Sequence, residues 1–586
     1  MATLESLTSE QTQQTDLFQR LRKEGADPAQ LDEVKKRIQE LKKEIGALKA
    51  ADGPAGGAAG KKKERLLLKT PKGTRDYGPG EMYAREHIER IVKETFTLYG
   101  GAQLDTPVFE RKDILAGKYG EDAKLIFDLE DQGGEQLALR YDHTVPLARY
   151  LAMLGGTTTQ SKLWQVGKVY RRDNPVMSKG RMREFSQADF DISGQWDTMI
   201  PDAEILSMVC KVLTRLEVGD FTVKINHRRI LDGIFEVCGV PSDKIRPISS
   251  AVDKLDKSPW SEVKREMTEE KGLDAAVADK IGEYVKLKGS RDLLDRLLAD
   301  TNLTTNKSAK LGLDEMATLF DYLDAYGITG KMSFDMSLAR GLDYYTGIIY
   351  EAITEASAPP GFKSADALAD APAPEAAAPA PKKKAKKAAT AGDEEDEVDA
   401  DSVGVGSIAA GGRYDNLVGM FTAAAAGDEK KKAAGTPCVG ISFGLDRVFA
   451  ILWPKWAERG MRTKEIMAYV MSAGDGLLVE RMGLVQELRD GGISADFLAK
   501  RKPKGMAPQF LAGERDEVPF AIIVGGDELK QGIVTVKQQK WIIQDGKKVK
   551  EQSDDKGVQV KRAELVQWIR DSEVYKLWES GRLIDA

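Results

Sequence analysis

The 586-residue chain is 41% hydrophobic and 31% charged with a net charge of −6, which predicts a globular protein of roughly four domains at ~150 residues each and excludes a uniformly basic surface, though not a local basic strip that binds nucleic acid. No run of ~18 apolar residues predicts a membrane span, and the start MATLESLTSEQTQQ has neither a basic segment before an apolar core nor an Arg-rich character, so no leader is expected. Cys210, Cys238 and Cys438 are far apart and odd in number, which gives no disulfide framework or zinc spacing and fits a reducing compartment.

The first segment, residues 1–50, reads as helical. Leu31, Val34, Ile38, Leu41, Ile45 and Leu48 recur at spacings of three and four and form one seam. Leu17, Phe18 and Leu21 predict a shorter helix before it, with a turn at Gly25-Ala26-Asp27-Pro28. The lysines fit a solvated helical hairpin first and an RNA- or partner-binding arm second. Residues 51–65 have the composition of a flexible linker. The body opens at 66-LLLKTPKGTRDYGPGEM-82. A helix is predicted over 81–99, with Ile88, Ile91, Val92 and Phe96 on one face. Strand-like runs follow at 104–109, 125–130 and 136–142, then a helix over 145–154.

The stretch 167-GKVYRRDNPVMSKGRMREFSQADFDIS-193 predicts two antiparallel strands joined by a cationic loop. The first ends at Tyr170 and leads into Arg171, Arg172 and Asp173. The second sets Phe185, Gln187, Asp189 and Asp191 at every other position, on one face. Residues 228–330 read as a charged helical insertion, and strand-like chain resumes over 331–352. Residues 355–402 are rich in Ala and Pro, with a basic block KKKAKK and an acidic block DEEDE, a composition that predicts disorder. From 466 onward strands alternate with helices, which indicates a small separate α/β domain.

No Walker A sequence is present, and 404-GVGSIA-409 lacks the opening helix of a dinucleotide fingerprint. His87, His143 and His227 have no metal-ligand spacing. The chemistry instead rests on arginines at strand-like segments: Arg171, Arg340, Arg413 and Arg447. Each one alone suits a salt bridge. Several within glycine-flanked aromatic motifs point to an anion pocket, because the planar guanidinium matches phosphate oxygens and stays charged. Phosphoryl-type transfer needs positioning and charge neutralisation more than a protein nucleophile.

These motifs resemble the class II aminoacyl-tRNA synthetases, and within them the histidyl-tRNA synthetase family of the eukaryotic cytosolic type. The hairpin 167–193 resembles the second class II motif, 440-GISFGLDRVFAIL-452 the third and 104-LDTPVFERKDIL-115 the first, whose Pro107 position lies at a dimer interface. RGLDYYTGIIYEA and AAGGRYDNLVGMF are similar to the two histidyl signatures, and LKTPKGTRDYGP to a further hallmark. The resemblance implies an α+β fold: a six-stranded antiparallel catalytic sheet flanked by helices over 66–460, an anticodon-binding α/β domain over 461–586, and a WHEP-type helical hairpin over 1–50.

It also implies a cytoplasmic homodimer that joins L-histidine to histidine tRNA at the expense of ATP with Mg2+, with no membrane contact and no protein-bound structural metal. Arg171 is expected at the α-phosphate and the substrate carboxylate, Arg340 at the α-phosphate and Arg447 at the γ-phosphate. Phe185 is expected on adenine, with Asp173 nearby. Asp142, Thr144 and Gln187 are expected at the α-amino group, and Asp191, Tyr344 and Tyr345 around the imidazole. An acid and a tyrosine supply the acceptor and hydroxyl that an imidazole needs. Two rivals are a non-catalytic relative that keeps the fold as a regulator or tRNA sensor, and an adenylate-forming ligase for a small molecule. Loss of the pocket residues would mark the first. The second would need neither the C-terminal domain nor the N-terminal helices.

Overall fold

The computed structural model describes residues 4–23, 28–51, 68–115, 118–131, 133–155, 160–256, 258–340, 345–355, 357, 406–427, 435–458, 465–474, 476–545, 547–551 and 556–579. Two compact units are present, Met1–Lys69 and Thr70–Ala586. Linker residues 52–65, residues 25–27 of the expected turn, residues 356 and 358–402, and Tyr344 lie outside the described residues.

The first unit is a pair of helices, Leu4–Lys23 and Pro28–Ala51. The first helix is longer than the Leu17–Leu21 pattern suggests, because a largely polar stretch extends it backwards to Leu4. Leu7, Leu41 and Ile45 bury together, and Arg37 reaches Glu10 at 2.8 Å. Both members of that pair are substantially exposed, so it adds little stability.

In the second unit the strands are β1 (Ala102–Gln103), β2 (Phe109–Arg111), β3 (Leu137–Leu139), β4 (Gln160–Tyr170), β5 (Glu184–Gly194), β6 (Phe221–His227), β7 (Lys288–Gly289), β8 (Met332–Asp335), β9 (Ile348–Thr354), β10 (Ala409–Arg413) and β11 (Cys438–Gly444). Among the described residues nine of them form one sheet, in the order β1-β4-β5-β11-β10-β9-β6-β8-β7. Its centre, β4-β5-β11-β10-β9-β6, is antiparallel throughout, and it is extended by β1 and β8, which run parallel to their neighbours β4 and β6, and by β7, antiparallel to β8. The sheet is thus wider than the six strands expected.

One face of the sheet is covered by helices. Pro79–Leu98 starts at Gly78, whose backbone N–H donates to Glu81 Oε2 at 3.0 Å, and Pro79 occupies the first turn, where its missing N–H costs nothing. Its buried residues Ala84, Ile88, Val92 and Phe96 repeat every four and face the sheet. Ile200–Arg215 and Leu445–Glu458 pack beside it. Phe96 meets Phe190 of β5 at 5.2 Å and Phe443 of β11 at 6.0 Å, and each such buried ring contributes about 1.5–3 kcal/mol. Ala188, Phe190 and Ile192 of β5 with Val439, Ile441 and Phe443 of β11 point into this core. The intervening residues of both strands therefore face the other side.

Residues 104–108 form no strand. Pro107 cannot donate to a ladder, and Thr106 is held by side chains instead: its carbonyl accepts from Arg140 Nη1 at 2.7 Å and its hydroxyl donates to Gln165 Oε1 at 2.8 Å. Residues 125–130 contribute one isolated bridge, Asp128 to Ala138. The expected strand over 331–352 is two, β8 and β9, with a loop carrying Arg340 between them.

The C-terminal part has β12 (Ala468–Ser472), β13 (Ala495–Phe497), β14 (Phe520–Val524), β15 (Ile533–Gln538), a separate hairpin β16 (Trp541–Gln544) and β17 (Lys547–Lys550), and β18 (Val558–Lys561). The sheet order is β13-β12-β14-β15-β18; the first three strands are parallel and the last two antiparallel additions. Helices Leu478–Asp490 and Leu565–Asp571 supply Leu484, Leu488 and Ile569 to its core.

Candidate active site

Strand alternation sets the site. β4 and β5 pair in register from Gln160↔Gly194 to Tyr170↔Glu184. With Ala188, Phe190 and Ile192 turned to the helices, Phe185, Gln187, Asp189 and Asp191 line a cavity of about 160 Å3 on the opposite face. The same cavity is lined by Asp142, Thr144, Arg171, Arg340, Tyr345 and Arg447, so residues from five chain segments share one cleft. Of the residues expected there, Asp173 is not on the cavity wall. Its carboxylate accepts from Arg181 Nε at 2.9 Å and from the Asn174 N–H at 2.8 Å, which folds the loop after β4.

One end of the cavity is acidic. The Asp142 carboxylate accepts from the Tyr119 hydroxyl at 2.9 Å and from the Val145 N–H at 3.1 Å, at the start of helix Thr144–Met153. Asp189 accepts from Ser442 Oγ at 2.6 Å, and Asp191 from the Tyr414 hydroxyl at 2.5 Å. Burial raises all three carboxyls above the ordinary range. Asp189 goes well above it, with the Asp191 charge adding to burial. Asp191 is pushed up to about 7 by burial, opposed by the Tyr414 bond and reinforced by Asp142. The Gln187 side-chain oxygen is buried and has no hydrogen-bond partner among the described residues. A buried amide oxygen among carboxyls suits a cationic donor.

The other end is cationic. Arg171 stacks against the Tyr141 ring at 4.2 Å and lies 5.2 Å from the Phe185 ring centre, while its Nε donates to the Tyr141 carbonyl at 3.2 Å. Arg340 pairs with Glu351 at 2.9 Å. Arg447 Nη1 donates to the Ser407 carbonyl at 2.6 Å. Burial first, then the charges of Arg171, Arg340 and Arg181, lower Arg447 to about 10, against the opposing charge of Glu351. Three guanidiniums on one cavity wall, close enough for two of them to act on Arg447, suit an anion. Glu351 is also buried, yet Arg340 and Lys224 hold it below the ordinary range. Arg413, grouped with these arginines by sequence, is not on the cavity wall. It donates to Asp202 at 3.0 Å and Asp415 at 3.1 Å, a structural pair.

Sequence reading missed Tyr414, Ser442, Ser407 and Asp446. Asp446 is 2% exposed and accepts from Arg85, from the Tyr77 hydroxyl at 2.5 Å and from the Ser186 N–H at 2.6 Å. It ties Tyr77, helix Pro79–Leu98 and the β5 strand to the segment that carries Arg447. Two glycines are required by close approach. A side chain at Gly440 would meet Asp191 Oδ1 at 1.8 Å, and one at Gly180, where φ is +66°, would meet the Asp446 carbonyl at 2.5 Å. The small residues of GISFG were the legible signal, since they leave room beside β5.

Residues 73–360 match the family profile described as Histidyl-tRNA synthetase, and residues 467–572 that of an Anticodon binding domain. A histidine–tRNA ligase of Danio rerio is 45% identical over 562 residues, 95% of this chain and 97% of the relative. The mitochondrial histidine–tRNA ligase of Saccharomyces cerevisiae is 47% identical over 533 residues, 89% of each chain. The cytoplasmic one of Takifugu rubripes is 46% identical over 517 residues, 88% of this chain and 90% of the relative. The solved histidyl-tRNA synthetase from Nostoc sp. superposes with a TM-score of 0.64 at 25% identity, over 86% of this chain and 99% of that one.

Proposed function

The chain belongs to the histidyl-tRNA synthetase family, and from that and the cavity we infer an enzyme that ligates histidine to its tRNA. The carrying observation is that Arg171, Arg340 and Arg447 line the same cavity as Gln187, Asp142 and Asp191. A carboxylate oxygen of histidine attacks the α-phosphorus of ATP, and the bond to pyrophosphate breaks with pyrophosphate leaving. The terminal ribose hydroxyl of the tRNA then attacks the histidyl carbonyl, and AMP leaves.

In this reading Arg171 bridges the two ends, consistent with its charge acting on both Asp142 and Arg447. It holds the α-phosphate against the histidine carboxylate. Arg340 neutralises charge that grows on the α-phosphate in the transition state, and Arg447 holds the outer phosphate. Phe185 stacks on adenine. The α-ammonium is taken by Gln187, Asp142 and Thr144, and the imidazole by Asp191 and Tyr345. We add Tyr414 to the imidazole end through its bond to Asp191. Mg2+ enters with ATP as counter-ion of its phosphates, as part of the substrate.

A non-catalytic relative would be expected to lose Arg171, Arg340, Asp142, Gln187 or Arg447, and all five are retained on the cavity. A homodimer fits the exposed apolar pair Val108 and Phe109 beside Pro107. We assign residues 66–460 to catalysis, 461–586 to the anticodon and 1–50 to an auxiliary RNA or protein contact. Among the described residues no helix is long and apolar enough to cross a membrane. We take the cytosol as the working compartment; relatives named cytoplasmic and mitochondrial match at nearly equal identity, so fluorescent tagging is the check. The test of function is histidine-dependent ATP–pyrophosphate exchange followed by charging of histidine tRNA. Exchange driven by another amino acid and not by histidine would remove the assignment.

A further inference from the structure

In the C-terminal α/β part the largest fully buried side chain among the described residues is an arginine. Arg481, 0% exposed, stands in helix Leu478–Asp490. Its Nε donates to the Gly476 carbonyl at 2.7 Å, Nη1 to the Leu498 carbonyl at 2.9 Å and Nη2 to the Lys500 carbonyl at 2.8 Å, and the guanidinium lies 5.4 Å from the Phe497 ring centre. All three bonds go to backbone oxygens, and Arg481 forms no ion pair among the described residues. A cation sunk without a carboxylate is costly unless a dense set of acceptors offsets it, as the three carbonyls do here.

What Arg481 fastens is the loop 498-LAKRKPKG-505, which leaves the C-terminal end of β13. The far end of this loop is fastened as well. Gln509, 1% exposed, donates to the Gly505 carbonyl at 3.0 Å while it bonds both the N–H and the carbonyl of Ser472, at the C-terminal end of β12. Between the two anchors Lys500, Arg501, Lys502 and Lys504 are exposed. Four like charges within five residues repel one another, and an unrestrained loop would spread them. Here two buried polar side chains hold their backbone in one shape, at the edge where parallel strands β12 and β13 end. The guanidinium beneath adds to the positive potential above. A preorganised cationic loop suits a polyanion whose charges are evenly spaced.

We propose that residues 499–505 are the surface that grips the phosphate backbone of the tRNA anticodon arm, with Arg481 and Gln509 as positioning residues beneath it. This rests on the reading of the chain as a histidine–tRNA ligase and specifies where its second domain meets RNA. The loop supplies charge and position; it does not read bases.

The test uses the full chain, a transcript of histidine tRNA and an acceptor-stem minihelix lacking the anticodon arm. In the K500A/R501A/K502A/K504A variant, tRNA binding should weaken at least ~10-fold at physiological salt, and the slope of log K against log salt should fall by up to about 3, near 0.7 for each lost single-strand contact. Minihelix charging and histidine-dependent exchange should not change, and the K500R/K502R/K504R variant should keep tRNA affinity. Unchanged tRNA affinity and slope in the alanine variant would overturn the proposal, as would an equal loss for the minihelix. Failure of the parent chain to exchange pyrophosphate with histidine would sink the ligase reading separately, since direct RNA binding still reports on the loop.

Discussion

The Tyr414 hydroxyl donates to Asp191 Oδ1 at 2.5 Å, joining the residue just past β10 to a carboxyl on β5, 223 positions earlier in the chain. The bond favours the ionised carboxylate against a burial that opposes it. Tyr414→Phe removes it. A hydrogen bond to a charged group contributes about 1.5–3 kcal/mol, so the histidine KM in pyrophosphate exchange should rise ~10-fold or more with the ATP KM unchanged.

Asp191 also makes stability depend on pH in an unusual direction. Its carboxyl titrates near 7 in the fold against an ordinary value of 3.8. Below pH ~4 both folded and unfolded chains hold the proton, and burial costs nothing. As pH rises from 4 to 7 the unfolded chain releases its proton first, so the fold loses stability, and above 7 the full penalty of roughly 4 kcal/mol applies. Asp191→Asn should therefore stabilise the ligand-free chain at pH 8, with the gain shrinking towards pH 4. Urea midpoints across that range measure it; a gain that grows on acidification would contradict the assignment.

Arg340→Ala should lower the adenylation rate by ~100-fold or more while the ATP KM moves only a few-fold, because the charge it neutralises develops in the transition state. Glu351 would be left without its arginine partner. Exchange kinetics at saturating histidine, with Glu351→Gln as the control for the pair, separate the two effects. Equal losses in rate and binding would contradict the role.

Gly440→Ala inserts a methyl group 1.8 Å from Asp191 Oδ1. The carboxylate must move, and the Tyr414 bond moves with it. Histidine-dependent exchange should fall at least ~100-fold, with adenine-nucleotide binding by calorimetry retained.

Deleting residues 1–60 should leave exchange within about twofold, because the helices Leu4–Lys23 and Pro28–Ala51 bury their own small cluster and form a separate compact unit. Exchange by the truncated chain is the measurement. A large loss would mean that the helices support the catalytic body.

The face of β5 was readable because a period of two needs only adjacent residues: Phe185, Gln187, Asp189 and Asp191 emerge on one side whatever the rest of the sheet does. The helix over Pro79–Leu98 was readable for the same local reason. Arg413 was not separable from Arg171, because the difference lies in Asp202, 211 residues away. Tyr414 and Asp446 were hidden likewise, since their partners arrive through sheet register and helix packing. Residues 104–108 looked like a strand by composition, but Pro107 and the long reach of Arg140 decide otherwise.

The sheet order carries a consequence for biosynthesis. β11 is the last of the nine strands to leave the ribosome, yet it lies between β5 and β10, at the middle of the sheet. A nascent chain ending at Arg413 would hold β4-β5 and β10-β9-β6 as two ribbons with a slot between them and bare edges on both sides. Ser442, Asp446 and Arg447 are missing at that stage. Competence must therefore arrive in one late step, when the final strand threads the gap, and until then the exposed edges are the part of the molecule that most needs a chaperone.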